Sequence, residues 1–110
     1  MKIFTLRANE NWHCDRYFDE WVKHRDTRLI HTENLTQADI IWLLPSWQWS
    51  LVPPYFLRSK IVVATVHHIV PEKFNYSDFK QRDQFVDYYH VPCEQTRKNI
   101  SPYTNKPYYI

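Results

Sequence analysis

The sequence predicts an α/β domain with a mainly parallel central sheet and helices on both faces. Two observations lead there. Short apolar, β-branched runs alternate with stretches of helical periodicity along the whole chain. The runs over residues 38–44 (ADIIWLL) and 60–66 (KIVVATV) are apolar almost throughout, as strands buried on both faces are. At 110 residues the chain has the length of one domain, residues 1–110, with a core of its own.

Residues 2–7 (KIFTLR) read as the first strand, and Asn9 or Asn11 can cap the helix that follows. Cys14, Phe18, Trp21 and Val22 share one face of that helix, and Asp15, Arg16, Asp19, Glu20 and Lys23 the other. Asp15 near its start, and Lys23, His24 and Arg25 near its end, suit the helix dipole. Residues 27–32 (TRLIHT) form a short second strand. The third, 38–44, ends at Pro45. Residues 47–58 read as irregular or short helix, with Pro53-Pro54 able to open a turn. The fourth strand is 60–66. Ser77-Asp78 would cap a helix running to residue 87, with Phe79, Phe85 and Val86 inward. Residues 88–91 are the fifth strand. Pro92 leads into a helix over 93–100, and 106–110 begin one more strand. The crossovers should be right-handed.

Composition removes several function classes. Glycine is absent, whereas average usage would give about eight. This excludes the P-loop, the glycine-rich dinucleotide fingerprint and the nucleophile elbow, all of which need glycine turns. The net charge is +2 and the basic residues are scattered, so no nucleic-acid footprint is expected. No apolar stretch approaches the roughly 18 residues of a membrane span. The N-terminus reads as a strand, not a signal peptide. Cys14 and Cys93 make no disulfide framework, so the expected location is cytoplasmic.

In open parallel sheets, ligands sit beyond the carboxyl ends of the strands. Asn11, Trp12 and His13 follow the first strand. Trp47 and Trp49 follow the third, His67 and His68 the fourth, and Cys93 and Glu94 the fifth. A rim of Trp, His and amides suits a sugar, because aromatic faces stack on pyranose C–H surfaces and polar groups bond the hydroxyls. Each residue also has a plainer reading. Trp47 and Trp49 can be loop packing, and a strand-end histidine can be a satisfied polar residue. Adjacent strand residues point to opposite faces, so His67 and His68 do not readily share a metal. A zinc site needs two or three more ligands. Cys93, His90 and His13 are candidates, but no Cys-x-x-Cys or His-x-x-x-His spacing exists, and no metal is expected. Cys93 at a helix start has either a lowered pKa or the place of a serine cap, which is the favoured reading. The carboxylates give no paired acid–base signal.

"VVATVHHIVPEKF", residues 62–74, resembles a strand and loop in the N-terminal half of GT-B glycosyltransferases of the glycogen-synthase-like group. There a strand of the form V-V-x-T-x-H ends in a histidine at the interdomain cleft. His67 matches it through the spacing Thr65-Val66-His67, and His68 takes a place often filled by Asp or Asn. "YYHVPCEQTRKNI", residues 88–100, is similar to the family's next strand and helix start, where a serine–glutamate pair opens the helix. Cys93 replaces the serine, and Glu94 and Arg97 fit. "ENWHCDRYFDEW", residues 10–21, looks like the first helix of a branch whose first loop lacks glycines.

The resemblance implies a three-layer, Rossmann-like, acceptor-side domain. Such a domain binds a sugar or glycan acceptor. A second domain, in cis or in trans, holds the nucleotide-sugar donor as co-substrate, and no metal is needed. The histidine matching His67 would reach toward the donor sugar or its phosphate as the catalytic group. Two departures stand out. Trp12 and His13 would fill the space the family gives to glycines. The chain also stops at Ile110, before any donor domain, so it is expected to be inactive alone, and its exposed cleft surface could drive self-association. The rival expectation is a non-catalytic module of the same fold that binds a carbohydrate or a protein through its tryptophans.

Overall fold

The computed structural model of the chain describes residues 1–5, 20, 21, 23, 28–44, 46–66 and 74–110, with the backbone alone for Trp47. Six strands form one sheet: β1 (Lys2–Phe4), β2 (Ile30–Thr32), β3 (Ile40–Leu43), β4 (Ile61–Thr65), β5 (Tyr88–His90) and β6 (Tyr108–Tyr109). Their spatial order is β2-β1-β3-β4-β5-β6, and every neighbouring pair is parallel. The expected α/β fold with a parallel sheet is therefore present. Two 3-10 turns lie at Leu35–Gln37 and Ser46–Leu51. Three helices follow β3, β4 and β5 in turn: α1 (Pro54–Ser59), α2 (Tyr76–Asp83) and α3 (Glu94–Ile100). Glu20, Trp21 and Lys23 are helical as well.

Strand alternation sorts the apolar residues onto two faces. Phe4, Ile41, Leu43, Val62, Ala64 and Tyr89 point to one face. There they pack with Leu57 of α1, Phe79 of α2 and Ile100 of α3 into the larger core. Ile3, Trp42 and Leu44 point to the other, joined by Trp21, Leu29, Ile40 and Val63. The placement of the three helices follows from topology. The steps β3→β4→β5→β6 all move the same way across the sheet, so right-handed crossovers put α1, α2 and α3 on one side. The step from β1 to β2 moves the opposite way.

Local chemistry fixes the joints. Pro54 opens α1 at its first position, where its missing N–H costs nothing. The Asn75 side chain caps α2 by accepting from the Asp78 amide at 3.0 Å. The cap thus falls two residues earlier than Ser77-Asp78, because Asn75 is the residue with extended backbone at the helix mouth. The helix also ends at Asp83, short of residue 87. Val86 is buried and Phe85 half-buried, but both reach the core from the turn after the helix. That turn brings Asp87 to the start of β4. Asp87 N donates to Val62 O at 2.9 Å, and Val62 N donates to Asp87 Oδ2 at 2.8 Å. A helix continued to residue 87 could not make this reciprocal pair.

The core is aromatic where α2 meets β5. Phe79 stacks on Tyr89 with ring centroids 5.9 Å apart and an interplanar angle of 9°. Such a pair adds about 0.5–1.5 kcal/mol beyond burial. The Tyr89 hydroxyl donates to Asp83 Oδ1 at 2.7 Å, and Thr104 Oγ1 donates to the same oxygen at 2.6 Å. Burial, then the Asp83 hydrogen bond, push the Tyr89 phenol well above its usual range, so it stays neutral.

Candidate functional site at the carboxyl ends of the strands

The strand order reverses between β1 and β3, one strand leading toward β2 and the other toward β4. In open α/β sheets the crevice beside that point is where ligands bind. Two buried polar atoms flank it. Thr5, just past β1, has an Oγ1 with no hydrogen-bond partner, and so does Oε1 of Gln48 in the turn after β3. A third is Nε of the buried Arg82. The Arg82 guanidinium reaches from α2 to the same turn, donating through Nη1 to Ser46 Oγ at 3.0 Å, and lies 4.6 Å over the Phe79 ring. Each unsatisfied buried group costs about 1–3 kcal/mol, which is why native folds keep few of them.

The turn Ser46–Leu51 also carries Trp47 and Trp49. Trp49 is half-buried and stacks on Phe85, with centroids 6.2 Å apart and 29° between the planes. Its ring is committed to packing. The backbone of Trp47 lies in the turn, and its side chain is outside the described residues. Asn11, Trp12, His13, His67 and His68 lie outside the described residues too. The strand that leads to His67 is described. β4 sits between β3 and β5, with Thr65 at its last position and Val66 buried just beyond.

Cys93 and Glu94 stand together at the start of α3, beyond the carboxyl end of β5. Cys93 is the N-cap residue, with extended backbone and an exposed thiol. Its Sγ lies 3.5 Å from Thr96 Oγ1 and makes no cap bond to the helix. The Thr96 hydroxyl is the main cause holding the thiol below its ordinary pKa. The Thr96 and Gln95 amides also draw the thiol's pKa down, yet the sulfur makes no hydrogen bond of cap geometry, so the cysteine is a weaker cap than a serine. Glu94, one residue on, pairs with Arg97, whose guanidinium also lies 5.2 Å over the Tyr108 ring. Its carboxylate is thereby partly neutralised within its own helix. Among the described residues, no group of three or more His, Cys, Asp or Glu could hold a metal ion, and no helix is long and apolar enough to cross a membrane.

One polar network was not foreseen from the sequence. On the second face of the sheet, Trp42 Nε1 donates to Thr65 Oγ1 at 2.8 Å, and that hydroxyl lies 3.1 Å from His90 Nδ1. It links β3, β4 and β5 by side chains at the level where Thr65 pairs with His90. The available signal was weak: a threonine in an otherwise apolar strand and a histidine in the next.

The fold and its strand-end residues define a class, an α/β protein with a parallel six-stranded sheet. No protein-family model, curated protein or solved structure matches the chain.

Proposed function

We propose that this chain is the acceptor-side, Rossmann-like domain of a GT-B glycosyltransferase, with helices layered on both faces of its sheet. It would bind a sugar or glycan acceptor and work with a second α/β domain that holds the nucleotide-sugar donor. His67 would hydrogen-bond the donor sugar or its phosphate as charge develops there. No metal is required for this chemistry.

The observation that carries the reading is the placement of β4. The strand with the T-x-H spacing is central in the sheet, and β3 alone separates it from the point where the strand order reverses. Thr5 and Gln48 leave buried oxygens unpartnered at that reversal, as sites arranged around a ligand do. Two further features agree with it. Arg82 ties α2, the helix that follows β4, to the turn holding Trp47 and Trp49. Cys93 and Glu94 open α3 beyond β5, on the other flank.

The test joins the chain to a donor-binding domain of the same enzyme type and follows sugar transfer. His67→Ala should lower turnover by about 100-fold, the cost of one electrostatic donor to the transition state. Unchanged turnover would remove His67 from the chemistry. Binding of glycans by the single chain, with transfer never seen beside any donor domain, would favour the non-catalytic module instead.

A further inference from the structure

Two polar side chains at the reversal of strand order are buried without serving the fold. Thr5 and Gln48 are 3% and 2% exposed, and neither Thr5 Oγ1 nor Gln48 Oε1 has a hydrogen-bond partner. Neither residue sits in slack chain. The Thr5 carbonyl lies 3.3 Å from His31 Nε2. Gln48 stands in the turn Ser46–Leu51, which Arg82 holds at Ser46 Oγ. Trp49 of that turn, and Val52 just after it, pack into the larger core. Both backbones are anchored, and only the side-chain oxygens are unmet.

Apolar residues of similar size would relieve the fold. Valine has the shape of threonine, and methionine about the length of glutamine. Removing an unmet buried polar group is neutral or stabilising, so these two oxygens burden the empty chain. Sites that need such groups for function keep them at the expense of stability.

The chemistry of the missing partner follows from the atoms. An amide oxygen only accepts, and a threonine hydroxyl both accepts and donates, so the partner must offer a donor. An ionised carboxylate has none. An ammonium has three, but the Arg82 guanidinium reaches Ser46, two residues from Gln48 in the same turn, and repels a second cation. A neutral donor remains, and a sugar presents several as hydroxyls.

We propose that Thr5 Oγ1 and Gln48 Oε1 accept hydrogen bonds from the hydroxyls of an uncharged sugar, which supplies the partners the empty fold lacks. The inference rests on the strand ends being a sugar site, but not on the role of His67 or on a donor domain. Its consequence is that stability and binding pull in opposite directions at these two positions.

The test uses the full chain without a donor domain. Glucose, mannose, galactose and N-acetylglucosamine are the probes, with glucuronate and glucosamine as charged counterparts, and the Thr5 and Gln48 amide signals are followed by NMR. At least one uncharged sugar should give saturable shifts with a Kd of about 10 mM or tighter. Thr5→Val and Gln48→Met should each raise the thermal midpoint of the empty chain by about 4 °C, and each should weaken that sugar by about tenfold. A lower midpoint in either variant would overturn the assignment of that residue, since its oxygen would then serve the fold, as through a buried water. Raised midpoints with unchanged sugar binding would overturn the proposal and leave the sugar reading of the strand ends in place. No saturable shift from any uncharged sugar would overturn both. Tighter binding of glucuronate or glucosamine than of the uncharged sugars would overturn the neutral class of ligand.

Discussion

His90 shows how one side chain can be read in two settings. In the sequence it is one of six histidines and a candidate metal ligand. In the fold it is half-buried on β5, with Nδ1 facing the Thr65 hydroxyl. Burial disfavours the charged imidazolium and lowers its pKa. The consequence for stability has a definite sign. With the folded pKa below the unfolded one, the unfolded chain binds more protons as the pH falls, so stability drops with it. The contribution of His90 is fully present above the ordinary histidine pKa of about 6.5 and is lost as the pH falls from there through the folded value. Urea midpoints measured across that window should fall toward acid, and His90→Gln should flatten the curve. A curve of equal slope in both proteins would place the acid sensitivity in other groups. The network itself was not legible beforehand, because Thr65 and His90 lie 25 residues apart and meet only through the register of β4 with β5.

Elements were more legible than contacts. β3 and β4 fall inside the stretches 38–44 and 60–66, since long apolar runs bounded by polar residues or proline leave little choice. The α2 boundaries were less visible. Phe85 and Val86 are apolar at helical spacing, yet they enter the core from a turn that Asp87 requires. Caps separate the two cases further. Asn75 bonds the Asp78 amide, whereas Cys93 holds the cap place of α3 without a bond to its backbone. Asn75→Ala should therefore cost about 1 kcal/mol, and Cys93→Ser should add about 0.5–1 kcal/mol by supplying the missing acceptor. Paired urea unfolding curves measure both. A destabilised Cys93→Ser would mean that the Thr96 contact is worth more than a cap. The site shares this pattern. The sequence pointed to strand ends, but packing of Trp49 on Phe85 depends on tertiary contacts that no local pattern encodes.

At the scale of the molecule, the alternation of strands and helices was enough to foresee a parallel sheet, but not the order of its strands. That order sets a gradient of stability. β3 and β4 are central, carry neighbours on both sides, and contain Ile41, Leu43, Val62 and Ala64, which are almost fully buried. β2 and β6 are the edges, and Tyr108 and Tyr109 are exposed. Local opening free energies run from about zero at frayed segments to the global value in the core, which is about 5–15 kcal/mol for ordinary domains. Amide hydrogen exchange should thus find β3 and β4 opening only with global unfolding, β1 and β5 next, and β2 and β6 fastest. The decisive strand is β6. It is held by backbone bonds such as Tyr89 N to Pro107 O at 2.9 Å and Val91 N to Tyr109 O at 3.1 Å, and by Arg97 over Tyr108. Tyr89 and Val91 are buried, but the β6 side of these contacts is exposed, so the strand should open readily. Exchange in β6 as slow as in β4 would contradict the gradient, because an edge strand two residues long has no internal means of such protection. It would mean that the edge is covered in solution, and the surface beyond β6 would then be an interface.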